Sequence, residues 1–154
     1  MNAPGAEVSV QEADFDVSAL QCQLLGDGCE AGAIVSFTGF VRRTGESGET
    51  HTMELEHYPG MTERSIQQII DEARQRWHIV GVRVVHRIGA LQAGQQIVYV
   101  GVGCAHRGDA FQACEFIMDY LKTRAPFWKK EKTGGEEHWV QSRESDSDAA
   151  QRWE

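Results

Sequence analysis

An α+β fold built on a mainly antiparallel sheet is the class this sequence predicts. Strand-like stretches come in consecutive pairs, helical stretches separate the pairs, and no G-x-G-x-x-G or Walker-type loop marks a doubly wound sheet. Gly101-Val102-Gly103 lies inside a strand and lacks the third glycine, so it does not suggest a dinucleotide site. A chain of 154 residues fits one domain. Residues 1–12 are expected as a loose arm and 144–154 as a C-terminal tail.

The elements follow in order. Val17, Leu20 and Leu24 have helical spacing behind Asp16 as a cap, and Gly26 to Gly28 stop that short helix. Ala33 to Val41 alternates with a period of two and reads as a strand ending in Arg42-Arg43. Thr44 to Glu49, polar and glycine-bearing, is expected as a mobile loop before a strand from Met53 to Tyr58. Pro59-Gly60 breaks that strand, and Thr62 is expected to cap a helix carrying Ile66, Ile69, Ile70, Ala73 and Trp77 on one side. Val82 to Ile88 and Gln96 to Cys104 read as a hairpin joined through Gly89 to Gly94. Asp109 and Gln112 resemble a capping box for a helix with Phe111, Cys114, Ile117, Met118 and Leu121 inward, and Pro126 stops it. Phe127 to Lys132 and Glu137 to Ser142 form a last hairpin around Thr133-Gly134-Gly135, and the tail from Glu144 adds a helical turn.

Charge and composition narrow the function. With 15 Lys and Arg against 23 Asp and Glu, the formal net charge is -8, which repels a polyanion and argues against nucleic-acid binding. The most apolar run, Ile97 to Ala105, is far shorter than the roughly 20 residues a spanning helix needs, so no membrane segment is expected. Glu7, Glu12, Asp14 and Asp16 give the start the wrong charge for a secretory signal, which leaves the cytoplasm as the expected compartment. Cys22, Cys29, Cys104 and Cys114 form no C-x-x-C pair and are read as packing thiols. The histidines offer no metal-site spacing, and no metal or cofactor is implied.

Against an acidic background, three concentrations of positive charge stand out: Arg42-Arg43, His106-Arg107, and the run Lys122, Arg124, Lys129, Lys130, Lys132. His106-Arg107 falls between a strand and a helix start, where backbone amides and a guanidinium fork favour phosphate. The alternative is an Arg107 that pairs with Asp109 or another surface carboxylate beside a His106 that is a hydrogen-bonded structural residue. In the lysine run, either Lys122 and Arg124 complement a helix end while the other lysines solvate a strand, or the cluster holds an anion. Cys104 near His106 is read as a packed thiol rather than a nucleophile.

From Gly32 to about Arg143 the chain resembles the large, catalytic subunits of molybdopterin synthase, the MoaE family. The resemblance rests on Gly32-Ala-Ile-Val-Ser-Phe-Thr-Gly-Phe-Val-Arg42, Leu55-Glu-His-Tyr-Pro-Gly-Met61, His86-Arg-Ile-Gly89 and Ala105-His-Arg107. It extends through Met118-Asp-Tyr-Leu-Lys122, Ala125-Pro-Phe-Trp-Lys-Lys-Glu131 and Trp139-Val140, all collinear. Cys104 stands where a small hydroxyl residue is expected, and the turn Gly89 to Gln95 lacks an acidic residue usual there.

The resemblance implies an α/β hammerhead-like fold with an additional antiparallel sheet. It also implies a homodimer core of a heterotetramer, with a small ubiquitin-like sulfur-carrier subunit ending in a Gly-Gly thiocarboxylate on each large subunit. The implied reaction moves sulfur from that thiocarboxylate to cyclic pyranopterin monophosphate, making the molybdopterin dithiolene. Both reactants are anionic, so clustered cations are what their meeting requires. Lys122, meeting the carrier's C-terminus and the charge that develops in sulfur transfer, and Lys129, orienting substrate or moving protons, are the expected catalytic residues; Arg42, His106, Arg107 and Arg143 are the expected substrate-binding residues. Phe127 and Trp128 either shape a narrow groove for the carrier's tail or anchor the last hairpin in the core. A non-catalytic binding module and a purely structural homodimer are the competing classes.

Overall fold

The structure is a computed structural model that describes residues 6–45, 48–49, 52–133, 136–140 and 144–154. In chain order the elements are β1 (Val8–Gln11), α1 (Val17–Cys22), β2 (Ala33–Phe40), β3 (Thr44–Gly45), β4 (Gly48–Glu49), β5 (Thr52–His57) and α2 (Met61–Arg76). There follow β6 (Ile79–Arg87), β7 (Gly89–Gln92), β8 (Gln96–Cys104), α3 (Arg107–Arg124), β9 (Phe127–Thr133), β10 (Glu136–Val140) and α4 (Glu144–Gln151). The main sheet has the order β1-β6-β8-β2, and a second four-stranded sheet has the order β10-β9-β5-β7. Every pairing is antiparallel except β1 with β6. This is the α+β class that the strand pairs predicted, and the second sheet is the additional antiparallel sheet that the resemblance implied.

The core explains the layering. Val82 and Val84 on β6 and Val98, Val100 and Val102 on β8 point to one face, where Ile66, Ile69 and Ile70 of α2 and Phe116, Ile117 and Leu121 of α3 bury them. Each such side chain contributes roughly 1.5–3 kcal/mol by leaving water, so this face carries most of the driving force. The opposite face is narrow for a specific reason. A Cβ at Gly103 would stand 2.3 Å from the Leu24 carbonyl oxygen, and one at Gly81 would stand 2.9 Å from it. These glycines let the segment after α1 lie directly on the strands, and Leu24 is buried there.

Several expectations are corrected. Residues 8–11 are not part of a loose arm but form β1, in register Val8↔Val84 to Gln11↔Arg87. Arg83 helps fix this strand by donating to the Ala6 carbonyl at 2.8 Å. Gly89–Gln92 is not merely a connecting loop: as β7 it crosses to the second sheet and pairs with β5. Thr62 is not the cap of α2; Gly60 holds that position with φ 83, which glycine tolerates, and Glu63 accepts its N–H at 2.5 Å. Thr62 instead accepts from Tyr58 N–H and donates to the Pro126 carbonyl, tying β5 to the start of β9.

Asp109 does not cap α3, which opens at Arg107 with His106 as its N-cap and no side-chain cap bond. Phe111 is 60% exposed, not inward, because the buried stripe runs through Ala110, Ala113, Cys114 and Ile117. The Asp16 cap stands, its carboxylate accepting from Ser18 and Ala19. The tail from Glu144 is α4, anchored where Trp153 donates to Asp119 and packs edge-on against Trp77 and Phe116. Thr44–Gly45 and Gly48–Glu49 pair with each other within the expected loop. Gly134 and Gly135 of the last turn lie outside the described residues.

Candidate functional site

Strand alternation and helix length bring one group of the candidate side chains toward a single end of the molecule. Along β5 and β9 the inward pairs are Met53↔Glu131, Leu55↔Lys129 and His57↔Phe127. Lys129 therefore shares a face with Phe127, whose ring stacks on His86 with centroids 3.8 Å apart and planes at 17°. His86 lies opposite Val98, near the start of β8, and the last turn of α3 returns to that end carrying Lys122. Arg42 reaches the same end, because Val41 bonds to the Gln95 backbone and packs with Met53, Leu55 and Leu91. Lys122 and Arg42 are exposed, Lys129 is half-buried, and Glu131, 2% exposed, adds a carboxylate beneath them.

Two histidines complete this end, and sequence reasoning assigned neither a role. His86 is buried, and burial pushes its imidazole down to about 4; the Lys122 and His57 charges act in the same direction, while the bond to the Arg87 carbonyl opposes them. It is neutral at physiological pH, so it shapes the site through its stack on Phe127 rather than through charge. His57 faces Glu63 at 3.4 Å, with 17% of its side chain exposed. Their signal in the sequence was the two stretches Leu55-Glu-His-Tyr and His86-Arg-Ile-Gly, but burial and cross-strand neighbours are invisible there.

The His86 shift has a stability consequence. Because its folded value lies below the ordinary imidazole value near 6.5, the unfolded chain takes up the proton first as pH falls. Stability contributed by neutral His86 is present above about pH 6.5 and is lost on the way down to about 4, on the order of 3 kcal/mol in total. Denaturant melts of wild type and His86→Gln across that range are expected to show a shallower acid loss in the variant. Equal slopes would remove His86 from the acid response.

The remaining expected residues are distributed differently. His106 and Arg107, both exposed, sit beyond Cys104 at the other end of β8. Arg107 and Lys122 are separated along α3 by about 22 Å at 1.5 Å per residue, so one chain does not bring them together. Among the described residues no ion pair joins Arg107 to Asp109. Arg143 lies outside the described residues.

The rest of the lysine run divides between structure and surface. Arg124 pairs with Glu72 at 2.6 Å, and Lys130 sits 3.6 Å from Glu137 and over the Trp139 ring. Phe127 belongs to the site through His86, whereas Trp128 is 47% exposed on the outer face and does not anchor the core. Cys104 and Cys114 are buried, and burial raises both thiols, Cys114 to about 12, which suits packing and not attack. Cys22 and Cys29 are exposed, so the packing assignment fails for them.

Among the described residues no group of three His, Cys, Asp or Glu side chains has the arrangement to hold a metal. No described helix is long and apolar enough to cross a membrane. What this end offers is a set of cations beside a half-open imidazole, suited to gathering anions and handling a proton.

Comparison with known proteins places these residues in a context. The family model described as MoaE protein matches residues 10–124. The molybdopterin synthase catalytic subunit of Vibrio cholerae serotype O1 is 56% identical over 147 residues, covering 96% of this chain and 97% of that protein. The solved molybdopterin biosynthesis MoaE protein from Burkholderia ambifaria superposes with a TM-score of 0.82 at 47% identity, covering 96% of this chain and 97% of that one. Molybdopterin synthase from Staphylococcus aureus gives a TM-score of 0.78 at 31% identity over 88% of this chain and 96% of that one.

Proposed function

The chain belongs to the MoaE protein family, and from that premise we propose that it is the catalytic subunit of a molybdopterin synthase. It takes sulfur from the C-terminal thiocarboxylate of a small ubiquitin-like subunit and delivers it to cyclic pyranopterin monophosphate, forming the dithiolene. What supports the site assignment is the His86–Phe127 stack, with Lys122 close enough for its charge to act on His86 and Lys129 on the same face of β9 as Phe127.

The thiocarboxylate sulfur is itself the nucleophile, so the protein need not supply one. Its task is to hold two anions together and to stabilise charge as it moves. Lys122 meets the carrier's terminus and the charge that develops there; Lys129 orients substrate; Arg42 takes the phosphate or pterin. Tyr58 and Met61, 56% and 44% exposed beside the site, give the carrier subunit an apolar landing.

His106 and Arg107 join the same pocket from a second copy. β2 is the outer strand of the main sheet, its sequence Ala-Ile-Val-Ser-Phe-Thr-Gly-Phe holds no charge, and no described strand covers its free edge. Two copies meeting antiparallel along β2 place the Ala33 end of one beside the Phe40 end of the other. Because Ala33 lies opposite Cys104 and Phe40 opposite Gln96, that arrangement sets His106-Arg107 of one copy near Arg42 of its mate. A homodimer core is therefore part of the proposal, as is a reducing, cytoplasmic setting for the free thiols.

The decisive experiment incubates the protein with thiocarboxylated carrier and substrate and assays for dithiolene. Formation of product supports the enzyme; binding of both partners with no product would make it a binding module instead. Arg107→Ala is expected to weaken substrate binding by about 10–100-fold, the loss of one charged phosphate contact worth roughly 1.5–3 kcal/mol. Unchanged substrate affinity by calorimetry would take Arg107 out of the pocket.

A further inference from the structure

We propose that His57, held by Glu63, is the proton-transfer group of this site. The inference rests on the sulfur-transfer reading above and gives the proton-moving role to a residue that neither the charge clusters nor the family resemblance singled out. Four observations support it.

The first is position. His57 is directly opposite Phe127, whose ring lies on His86, and one inward pair along from Lys129. The second is access: at 17% side-chain exposure, the imidazole is shielded from bulk water yet open to a reactant. The third is orientation. Glu63 presents Oε1 to His57 Nε2 at 3.4 Å while its Oε2 accepts the Gly60 N–H at 2.5 Å, so the start of α2 fixes a carboxylate beside the ring. The fourth is the assignment among histidines. His86 is buried and stays neutral, His78 is exposed on the turn after α2, and His106 is at the far end of β8.

The chemistry requires such a group. A carrier that gives up sulfur must finish as a carboxylate, so the acyl carbon of a carrier–sulfur–substrate thioester exchanges sulfur for oxygen. Water supplies that oxygen: its C–O bond forms at the acyl carbon, His57 takes the proton, and the acyl C–S bond breaks to leave the thiolate on the substrate. The proton then passes from His57 to the thiolate or to solvent, the carrier's new carboxylic acid releases its own proton to solvent to end as the carboxylate, and no redox change occurs. Glu63 from α2 lies 3.4 Å from His57; the charges of His57 and of Lys122 from α3 both act on His86 from β6, Lys129 stands one inward pair along β9, and these cations favour the departing thiolate.

The test uses the full chain with thiocarboxylated carrier and substrate, following product formation against pH in wild type, His57→Gln and Glu63→Gln. His57→Gln is expected to lose about 10²-fold or more in kcat, to bind carrier and substrate as wild type does, and to lose the limb of the pH profile set by an ionising imidazole. His57→Gly with added imidazole is expected to recover part of the rate, which a structural role would not allow. Glu63→Gln, which leaves the His57 ring in place without the carboxylate beside it, should lower kcat by a smaller factor than His57→Gln. An active wild type with an equally active His57→Gln, or a variant that is slow but keeps the wild-type pH profile and ignores imidazole, overturns the proposal alone. A wild type that makes no dithiolene overturns the functional reading on which it rests.

Discussion

Lys122→Ala is expected to lower dithiolene formation by about 10²–10³-fold, the usual consequence of removing one well-placed charge-stabilising donor. The loss should fall on kcat, because Lys122 acts on charge that moves as sulfur leaves the carrier, more than on substrate docking. Folding should survive. Lys122 is exposed in the last turn of α3 and the adjacent Leu121 keeps its buried contacts, so the core that holds the fold is left intact. Lys122→Arg keeps the charge but replaces a compact ammonium with a planar fork and should recover only part of the rate. Single-turnover assays with thermal melts check both halves: a folded Lys122→Ala that turns over normally would end the assignment.

How much of this was legible beforehand follows from what each signal depends on. Local patterns carried the long elements: the two-residue alternation of Ala33 to Phe40 and the helical spacing of Ile66, Ile69, Ile70 and Ala73 are properties of short windows. β1 escaped because its four residues take their conformation from the ladder with β6, a contact more than 70 residues away in the chain. β7 escaped because Gly89, at φ 84, reads as a turn and only the pairing with β5 makes the next residues a strand. Glu63 outcompeted Thr62 at the start of α2 because the threonine hydroxyl was already engaged between Tyr58 and Pro126.

The site divides in the same way. Clustered cations in an acidic chain are visible as composition, so Lys122, Lys129, Arg42 and the His106-Arg107 pair could be selected. Their grouping could not. It depends on α3 running back along β8, which carries Lys122 to the opposite end of the helix from Arg107. His57 and His86 are single residues whose meaning lies wholly in their cross-strand and stacking partners.

That separation yields the sharpest prediction about the assembly. If each pocket takes Lys122 from one copy and Arg107 from the other, then Lys122→Ala and Arg107→Ala chains should rescue each other when co-expressed. Random pairing makes half of the dimers mixed. In each mixed dimer one pocket carries both lesions and the other carries none, so activity should return to about a quarter of wild type, from singly mutant levels far below it. Lys122→Ala co-expressed with Lys129→Ala is the matched control, because both lysines stand at the same end of one chain and every pocket then keeps one lesion. Recovery in the first mixture and none in the second is the expected pattern. Equal failure of both, with mixed dimers verified by mass measurement, would mean that Arg107 and Lys122 do not meet across the two-fold, and the phosphate site would have to be built from Arg42 and its neighbours within one chain.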